Sequence, residues 1–298
     1  MGNESLYKKI VLAGGTGFVG KYLQKKFSEL GYEVIIIARN TSVNWKNPDE
    51  ITEALEHAEM LVNLAGKSVD CRYNEKNKNE ILLSRTETTK ILGEAIKNCK
   101  FPPKIWFNSS TATIYRHAED RAMTEKEGEI GTGFSVGIAT AWEKEFFSFG
   151  LERTRKIALR MAIILGKDGG VIPAYKNIVR FGLGGKQGNG NQMFSWLHIH
   201  DLYRIILFLQ ENENLEGVFN CSSPNPVKNT ELMRIFREKM KIPFGMPTPK
   251  LLLEIGAFFI RTETELLLKS RWVIPQRLQD EGFKFDYPNL GKAIEQTV

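Results

Sequence analysis

The 298-residue sequence contains few cysteines, and none of them lies close to another. Cys71, Cys99 and Cys221 are far apart and form no Cys-x-x-Cys pair. Disulfide-stabilised small folds and structural zinc sites both need cysteines in pairs or at short spacings. The sequence therefore predicts neither, and we expect a reducing compartment, the cytoplasm.

Long hydrophobic segments are also scarce. The segment from Met1 to Lys9 is short and polar, unlike the apolar part of a signal peptide. The apolar stretch from Leu251 to Ile260 contains Glu254 and is too short to cross a bilayer. We therefore predict a soluble protein without a membrane partner.

Neither sign of charge is in large excess. The 41 basic and 35 acidic residues give a net charge of +6 that is spread along the chain. Basic pairs such as Lys8-Lys9 and Lys25-Lys26 are not interleaved with aromatic residues. This pattern predicts a mildly basic solvated surface and no nucleic-acid partner, and it suits a small anionic ligand.

Short apolar runs alternate with amphipathic stretches through the first half of the chain, which is typical of βαβ units around a parallel sheet. Val34 to Ile37 is a continuous β-branched run, typical of a strand that is covered on both faces. The predicted strands are 10–13, 33–38, 60–65, 105–109 and 156–164, and the predicted helices are 17–30, 80–98 and 139–149. We predict an α/β fold, a Rossmann-type doubly wound parallel sheet, in a domain spanning 1–165.

A smaller, mostly helical C-terminal lobe is predicted for 166–298. It contains a glycine cluster from Gly182 to Gly190, either a mobile lid or a long turn. Helices are predicted at 201–209 and 231–240 and through most of the tail, 250–298. Residues 201–222 could instead return to the main sheet, with Val218 to Cys221 as an extra strand. Helical spacing favours the lobe core over an oligomer face for Leu251, Leu252, Ile255 and Phe259.

A glycine-rich turn, Gly14-Gly15-Thr16-Gly17-Phe18-Val19-Gly20, follows the first predicted strand. Gly14 permits a tight turn, Gly17 lets backbone N–H groups approach a pyrophosphate, and Gly20 permits close packing of the helix on the strand. A glycine-rich turn without a ligand is the alternative. Because this one joins a strand to a helix in a βαβ unit, it predicts a dinucleotide site.

The end of the second predicted strand indicates which dinucleotide is bound. Sites for NAD usually carry an acidic residue there, whereas this chain has Ala38-Arg39-Asn40-Thr41-Ser42. The Arg39 guanidinium suits a 2′-phosphate through charge-assisted hydrogen bonds, and the three residues after it could add neutral donors. Arg39 could also be an exposed charge at the strand end. Its position favours NADP(H) as the cofactor.

Further motifs extend the comparison over nearly the whole chain. They are Asn63-Leu64-Ala65-Gly66, Ser84-Arg85, Ser109-Ser110-Thr111-Ala112-Thr113-Ile114-Tyr115, Phe194-Ser195-Trp196-Leu197-His198-Ile199-His200-Asp201, Pro275-Gln276-Arg277-Leu278 and Gly282-Phe283-Lys284-Phe285. With them the chain resembles an extended short-chain dehydrogenase/reductase of the atypical, sugar-nucleotide epimerase-like branch of the NAD-dependent epimerase/dehydratase superfamily. The resemblance includes the C-terminal segment of that branch. It implies that substrate binds in a cleft between a Rossmann domain and a small lobe.

The resemblance also implies roles for individual residues. The residues expected along the cofactor are Leu64, Ala65 and Gly66 on the adenosine and ribose side, and Ser109 and Ser110 near the nicotinamide. Thr111 matches the catalytic Ser or Thr of the family, whose hydroxyl holds a carbonyl or alcohol oxygen of the substrate.

The chain departs from the family at the catalytic pair. Typical members carry a Tyr and, four residues later, a Lys that lowers the pKa of the tyrosine and binds the nicotinamide ribose. When Glu143 is aligned with the later helical acid of the family, Ser135 and Ala139 occupy those two positions, and neither can transfer a proton in this way. The candidates to replace the pair are Tyr115, His198 and His200.

Several other residues have two interpretations each. His198 and His200 would share one face of a strand and could hold a metal, but an ordinary short strand followed by Asp201 as a helix N-cap is favoured, and no metal is predicted. Trp142 would pack in the core or against the cofactor, with the core favoured. Arg72, Arg85 and Arg160 could bind an anionic substrate or serve in surface contacts and ion pairs.

Two functions stay open. The first is an NADP-dependent oxidoreductase or epimerase-like enzyme that acts on a secondary alcohol or carbonyl, a nucleotide sugar among the candidates. The second is a catalytically silent NADP(H)-binding redox sensor or scaffold. The missing Tyr–Lys pair favours the second function, and Thr111 with the complete cleft motifs favours the first. The chain is expected to be a monomer or a homodimer.

Overall fold

Six parallel strands form the main sheet. The computed structural model describes residues 8–249 and 269–298, and the six strands are β1 (Lys9–Ala13), β2 (Glu33–Ile37), β3 (Ala58–Asn63), β4 (Ile105–Thr111), β5 (Arg155–Met161) and β10 (Gly217–Cys221). Their order is β2-β1-β3-β4-β5-β10. The chain thus starts in the interior of the sheet and builds first to one side and then to the other. The predicted Rossmann-type fold is confirmed, and its strand order reverses between β1 and β3, where such sheets bind ligands.

Helices cover both faces of this sheet. Adjacent residues of a strand point to opposite faces. Ile10 and Leu12 of β1 therefore lie in one core with the helices 18–29 and 199–211, and Val11 lies in another core with the helices 48–55, 75–98 and 134–148. The helices are α1 (Phe18–Glu29), α2 (Pro48–Leu55), α3 (Glu75–Asn98), α4 (Phe134–Ser148), α5 (Ile172–Arg180), α6 (Ile199–Glu211) and α7 (Asn229–Lys239).

The two long helices α3 and α4 begin earlier than their apolar periodicity predicted. The side chain of Asn74 caps α3 by accepting a hydrogen bond from the Asn77 N–H at 2.8 Å. Gly133 precedes α4 with a φ of +99°, a conformation that favours glycine. The earlier start places Ser135 in the first turn of α4, which matters for the cleft described below.

The predicted strand 156–164 is two strands. β5 ends at Met161, and after Ala162 the chain enters β6 (Ile163–Gly166), which leaves the main sheet and pairs with β9 (Trp196–His198) and β7 (Gly169–Gly170). The break occurs because Ala162 N–H donates to Cys221 of β10 while Ile163 N–H donates to Ser195 beside β9. Val218 to Cys221 belongs to β10, the edge strand next to β5.

The second predicted strand differs in its surroundings. β2 is the other edge of the main sheet, and Val34, Ile35 and Ile36 are only partly buried. Its β-branched run therefore does not reflect complete cover on both faces. The remaining short strands, β8 (Met193–Phe194) and β11 (Val227–Lys228), pair with each other.

The described part of the C-terminal tail, residues 269–298, is less helical than predicted. Residues 269–298 contain only α8 (Gln276–Asp280) and α9 (Leu290–Glu295). The remaining predicted tail helix, with Leu251, Leu252, Ile255 and Phe259, lies outside the described residues. In the parts of the chain that are described, no helix is both long enough and apolar enough to cross a bilayer.

Candidate functional site

The glycine turn brings the end of β1 against the end of β3. Gly14 has a φ of +75°, and a Cβ at this position would lie 2.6 Å from the backbone nitrogen of Ala65. Gly20 is equally constrained, because its Cβ would overlap the carbonyl group of Gly15. Gly15 itself is buried against Ile36 of β2. These contacts explain why the turn requires glycine.

The amino end of α1 is left open for an anion. Gly17 is the N-cap residue, no side chain caps the helix, and its first turn contains no acidic residue. Thr16 and Gly17 are exposed. The first N–H groups of such a helix lack partners and carry a partial positive charge, which suits a phosphate group.

Phe18 and Val19 point in different directions from this turn. The ring of Phe18 packs against Gly166, Gly169 and Gly170, where an added Cβ would contact it closely. Val19 lines the cleft at the strand ends. Of these two predicted cofactor residues, only Val19 faces that cleft directly.

Arg39 lies just beyond β2 and is exposed, like Asn40 and Ser42. Thr41 has a different role: its hydroxyl accepts a hydrogen bond from Ala38 N–H at 2.9 Å and donates one to the Val43 carbonyl at 2.7 Å. Thr41 thus stabilises the loop after β2, whereas the Arg39 side chain is accessible to a ligand.

A buried asparagine, Asn63, which was predicted only as the first residue of the motif 63–66, positions the segment after β3. The side-chain oxygen of Asn63, Oδ1, accepts a hydrogen bond from Ala65 N–H at 3.0 Å. The side-chain nitrogen, Nδ2, donates to Asn108 of β4 at 2.7 Å and to Thr89 of α3 at 3.2 Å. This one side chain therefore links two strands and a helix. It holds Leu64 to Gly66 beside the glycine turn.

A cleft with a cavity volume of about 330 Å³ opens at the carboxyl ends of β3, β4 and β5. Predicted site residues that line it are Val19, Leu64, Ala65, Gly66, Ser109, Ser110 and Thr111. The Thr111 hydroxyl accepts a hydrogen bond from Thr113 N–H at 3.1 Å and can still donate to a ligand. The buried Ser109 hydroxyl has no hydrogen-bond partner among the described residues.

One face of α4 forms a wall of this cleft. Ser135, Ile138, Ala139 and Trp142 all line the cavity. Ser135 and Ala139, the two positions predicted from the resemblance to stand where the family carries Tyr and Lys, therefore both face the cleft. Trp142 combines both interpretations from the sequence, because it is buried, its Nε1–H donates to Thr89 at 2.9 Å, and its ring borders the cavity.

Tyr115 lies behind the cleft rather than in it. Its side chain is buried, and its hydroxyl accepts a hydrogen bond from Arg160 at 2.8 Å and donates one to Asn220 at 2.9 Å. Arg160 also forms a two-pronged ion pair with Glu143, at 2.8 and 2.7 Å. Burial raises the pKa of Tyr115. Neither Tyr115 nor Arg160 lines the cavity.

His198 is also away from the cavity of the cleft. It is the N-cap residue of α6, and its Nδ1 accepts a hydrogen bond from His200 N–H at 3.3 Å. Burial lowers the pKa of His198 to about 4. His200 instead contacts the Tyr22 hydroxyl and the Asp286 carboxylate, both at 3.2 Å.

The predicted N-cap at Asp201 is wrong. α6 starts at Ile199, so Asp201 lies within its first turn. The buried Asp201 carboxylate instead accepts hydrogen bonds from the backbone N–H groups of Asp286 and Tyr287, each at 2.9 Å. Asp201 thus fastens the C-terminal segment to α6.

Two other residues that line the cleft, Tyr73 and Arg85, bear a phenol and a guanidinium group. Tyr73, which the sequence analysis did not single out, lines the cavity from the loop before α3, with its ring edge-on to Phe134 at 4.8 Å. The Arg85 guanidinium lies over the Trp142 ring at 5.2 Å and lines the same cavity. No periodic pattern surrounds Tyr73, so only the folded chain shows that it reaches the cleft.

The glycine cluster after α5 forms a paired turn. Gly185 N–H donates to the Met246 carbonyl at 3.1 Å, Gly188 N–H donates to Thr248 at 2.9 Å, and Met246 N–H donates to Gly182 at 2.7 Å. Of the two interpretations of Gly182 to Gly190, these bonds favour the long turn.

Known proteins resemble this chain in sequence and in structure. The NAD dependent epimerase/dehydratase family matches residues 10–135, and Domain of unknown function (DUF1731) matches residues 248–297. Epimerase family protein SSP1921 of Staphylococcus saprophyticus is 31% identical over 300 residues, which cover 98% of this chain and 99% of that protein.

Two solved structures share the fold. The crystal structure of human epimerase family protein SDR39U1 (isoform 2) with NADPH superimposes with a TM-score of 0.87 at 30% identity, over 97% of this chain and 98% of that one. The nucleoside-diphosphate sugar epimerase from Corynebacterium glutamicum gives a TM-score of 0.78 at 26% identity, over 97% of this chain and 58% of that one. With its sequence match to an epimerase family protein over nearly its whole length, the chain belongs to the NAD-dependent epimerase/dehydratase family, as an epimerase family protein that also carries the DUF1731 segment.

Proposed function

We propose that this protein is an NADP(H)-dependent oxidoreductase that acts on a carbonyl or secondary alcohol, nucleotide sugars among the candidate substrates. One observation carries the proposal. The open amino end of α1 lies next to the hydroxyl-lined cavity, because Val19 in the first turn of α1 lines that cavity. A dinucleotide whose phosphates bind at α1 can therefore reach the hydroxyl groups.

The residues present fit the cofactor. A Cβ on Gly14 would collide with Ala65, and the absence of a Cβ on Gly17 leaves room for the ligand. The N–H groups at the start of α1 would bind the pyrophosphate. The exposed Arg39 would pair with the 2′-phosphate. The NADPH-bound structure of human SDR39U1, similar over nearly the whole chain, supports the same assignment.

NADPH would supply a hydride to the substrate carbon. The side chains of the protein would then hold the substrate oxygen and provide a proton. Thr111 would donate a hydrogen bond to that oxygen from the end of β4. Ser110 is less available as a donor, because its hydroxyl already donates to Glu143 at 2.5 Å.

Tyr73 is our candidate for the proton donor. The hydroxyl-bearing side chains that line the cavity are Tyr73, Ser109, Ser110, Thr111, Thr113 and Ser135. A phenol, with an ordinary pKa of about 10, gives up a proton far more readily than a serine or threonine hydroxyl. Tyr73 would thus replace the absent tyrosine from the loop before α3 instead of from α4.

The second candidate function is a silent NADP(H)-binding sensor or scaffold. The observation that favours it is the wall of α4, where Ser135 and Ala139 face the cavity and cannot form a tyrosine–lysine pair. A protein of this kind would bind NADPH tightly and oxidise none of it.

Single-turnover oxidation of bound NADPH, followed by its fluorescence, distinguishes the two. The protein is mixed with a panel of ketones, aldehydes and keto-sugar nucleotides. We expect turnover with at least one class, and a loss of about 100-fold or more in Tyr73→Phe without weaker NADPH binding. Tyr32→Phe is the matched control, because Tyr32 packs against Phe27 away from the cavity. Tight NADPH binding without turnover for the whole panel would establish the sensor instead.

A further inference from the structure

Arg85 brings a positive charge into the cleft. It lies on α3, and its Nη1 donates to the backbone carbonyls of Lys67 at 3.1 Å and Ile81 at 3.0 Å. Its Nε and Nη2 groups make no hydrogen bond with any residue in 8–249 or 269–298. The guanidinium is therefore held in place by its neighbours while part of its donor capacity remains for a ligand.

No negative charge balances it among the residues that line the cavity. Arg85 is the only one of the described lining residues that is charged at neutral pH. Glu80 of α3 is paired with Lys67, and Glu143 of α4 is paired with Arg160. Burial lowers the pKa of Arg85 to about 10, so it still carries its charge at pH 7. A partly desolvated cation without an anionic partner is costly unless a ligand provides one.

We propose that Arg85 is the binding site for an anionic group, a carboxylate or a phosphate, on the substrate. The inference rests on the proposed function, because it places a substrate in the same cleft. It narrows the substrate class to carbonyl or alcohol compounds that carry such a group near the reacting carbon.

The order of the strands argues against the cofactor as the source of that anion. Arg39 lies beyond β2 and the glycine turn follows β1, so the cofactor phosphates are accommodated on that side of the sheet. Arg85 lies beside Gly66, just after β3, where a Cβ would be 3.1 Å from its guanidinium, and over the ring of Trp142 of α4. It therefore borders the part of the cavity that continues toward β4 and β5.

The substrate is unknown, so the test uses two probes of the same shape, benzoate and benzamide. Their binding to the NADPH-loaded protein is measured by titration calorimetry. We expect benzoate to bind about tenfold or more tightly than benzamide, as charge-assisted hydrogen bonds to a guanidinium require. Arg85→Gln should abolish this preference and Arg85→Lys should retain part of it. Arg180→Gln, the same change at an exposed position on α5, should leave it unchanged.

Other results would overturn the inference. They are equal affinities or no benzoate binding in the wild type, and a benzoate preference that survives Arg85→Gln. A loss of tenfold or more in NADPH affinity in Arg85→Gln would assign the arginine to the cofactor. If Arg85→Gln does not fold, the wild-type comparison and Arg85→Lys decide. Because benzoate binding requires no turnover, its outcome is separate from that of the proposed oxidoreductase activity.

Discussion

The two ends of the cleft are built in different ways. At the α1 end the ligand would contact backbone N–H groups. The main requirement on side chains there is that Gly14 and Gly20 have none, because a Cβ would collide with the backbone. At the α4 end the proposed chemistry would depend on individual side chains from several elements, among them Tyr73, Arg85 and Thr111. A site made of backbone is constrained by the fold, whereas a site made of side chains can lose or relocate its groups one at a time.

The largest expected effect tests whether Glu143 and Arg160 serve structure at the α4 end. In Arg160→Met the buried Glu143 carboxylate would lose its partner, which should lower the free energy of unfolding by about 3–5 kcal/mol. Urea denaturation measures this loss. The double variant Glu143→Leu with Arg160→Met should recover most of it. A single variant with normal stability and no NADPH turnover would show instead that the pair is catalytic.

The second prediction concerns His198, whose folded pKa of about 4 lies below the ordinary value of 6.5. Between these values the unfolded chain binds the proton and the folded chain does not. The stabilising contribution of neutral His198 is therefore complete above pH 6.5 and declines as the pH falls to 4, by about 3 kcal/mol. His198→Asn keeps an N-cap acceptor and removes this titration. The free energy of unfolding is measured for both proteins between pH 4 and pH 6.5. A difference between the two proteins that does not change with pH would contradict the prediction.

The third prediction tests the backbone end directly. Gly14→Ala should weaken NADPH binding by about 100-fold, because the new Cβ would push Ala65 away from the turn. Gly31→Ala is the matched control: its φ of +82° is similarly unusual for alanine, but no atom lies within 4 Å of the new Cβ. Fluorescence titration with NADPH compares the two. Similar binding losses in both would show that backbone strain, and not the contact with Ala65, is responsible.

The smallest effect is expected from the one side chain that acts at the backbone end. Arg39→Gln should lower NADPH affinity about tenfold and leave NADH affinity unchanged, since only NADPH carries the 2′-phosphate. The ratio of the two dissociation constants measures this selectivity. Equal affinities for the two cofactors in the wild type would show that Arg39 does not select NADP(H).

The same contrast explains what the sequence could predict. The β1 strand, the glycine turn and α1 depend on local patterns, and all were predicted within a few residues. The division of 156–164 into β5 and β6 was not, because it depends on hydrogen bonds to Cys221 and Ser195, which are distant in sequence. Asp201 was misassigned for a similar reason: its partners, Asp286 and Tyr287, lie 85 and 86 residues away.

The candidate site shows the same limit. Its glycines can be recognised from their spacing, and the departure from the Tyr–Lys pair in α4 is predicted from the resemblance to the family. Whether Tyr115 or Tyr73 reaches the cleft depends on the direction of each side chain. Tyr115, the tyrosine predicted from the sequence, is buried and does not line the cavity, whereas Tyr73 does. Arg85 was considered, but its lack of a carboxylate partner in the cavity emerges only from the packing of α3 against α4.

The contact of Phe18 with three glycines bears on how the protein could be divided. Its ring, one residue beyond Gly17, is covered by Gly166, Gly169 and Gly170 of the β6–β7 hairpin. A fragment that stopped at residue 165 would expose this ring and remove a contact that orients the start of α1. We therefore expect the first 165 residues to form a stable fold only together with the β6–β7 hairpin, and not as an independent domain.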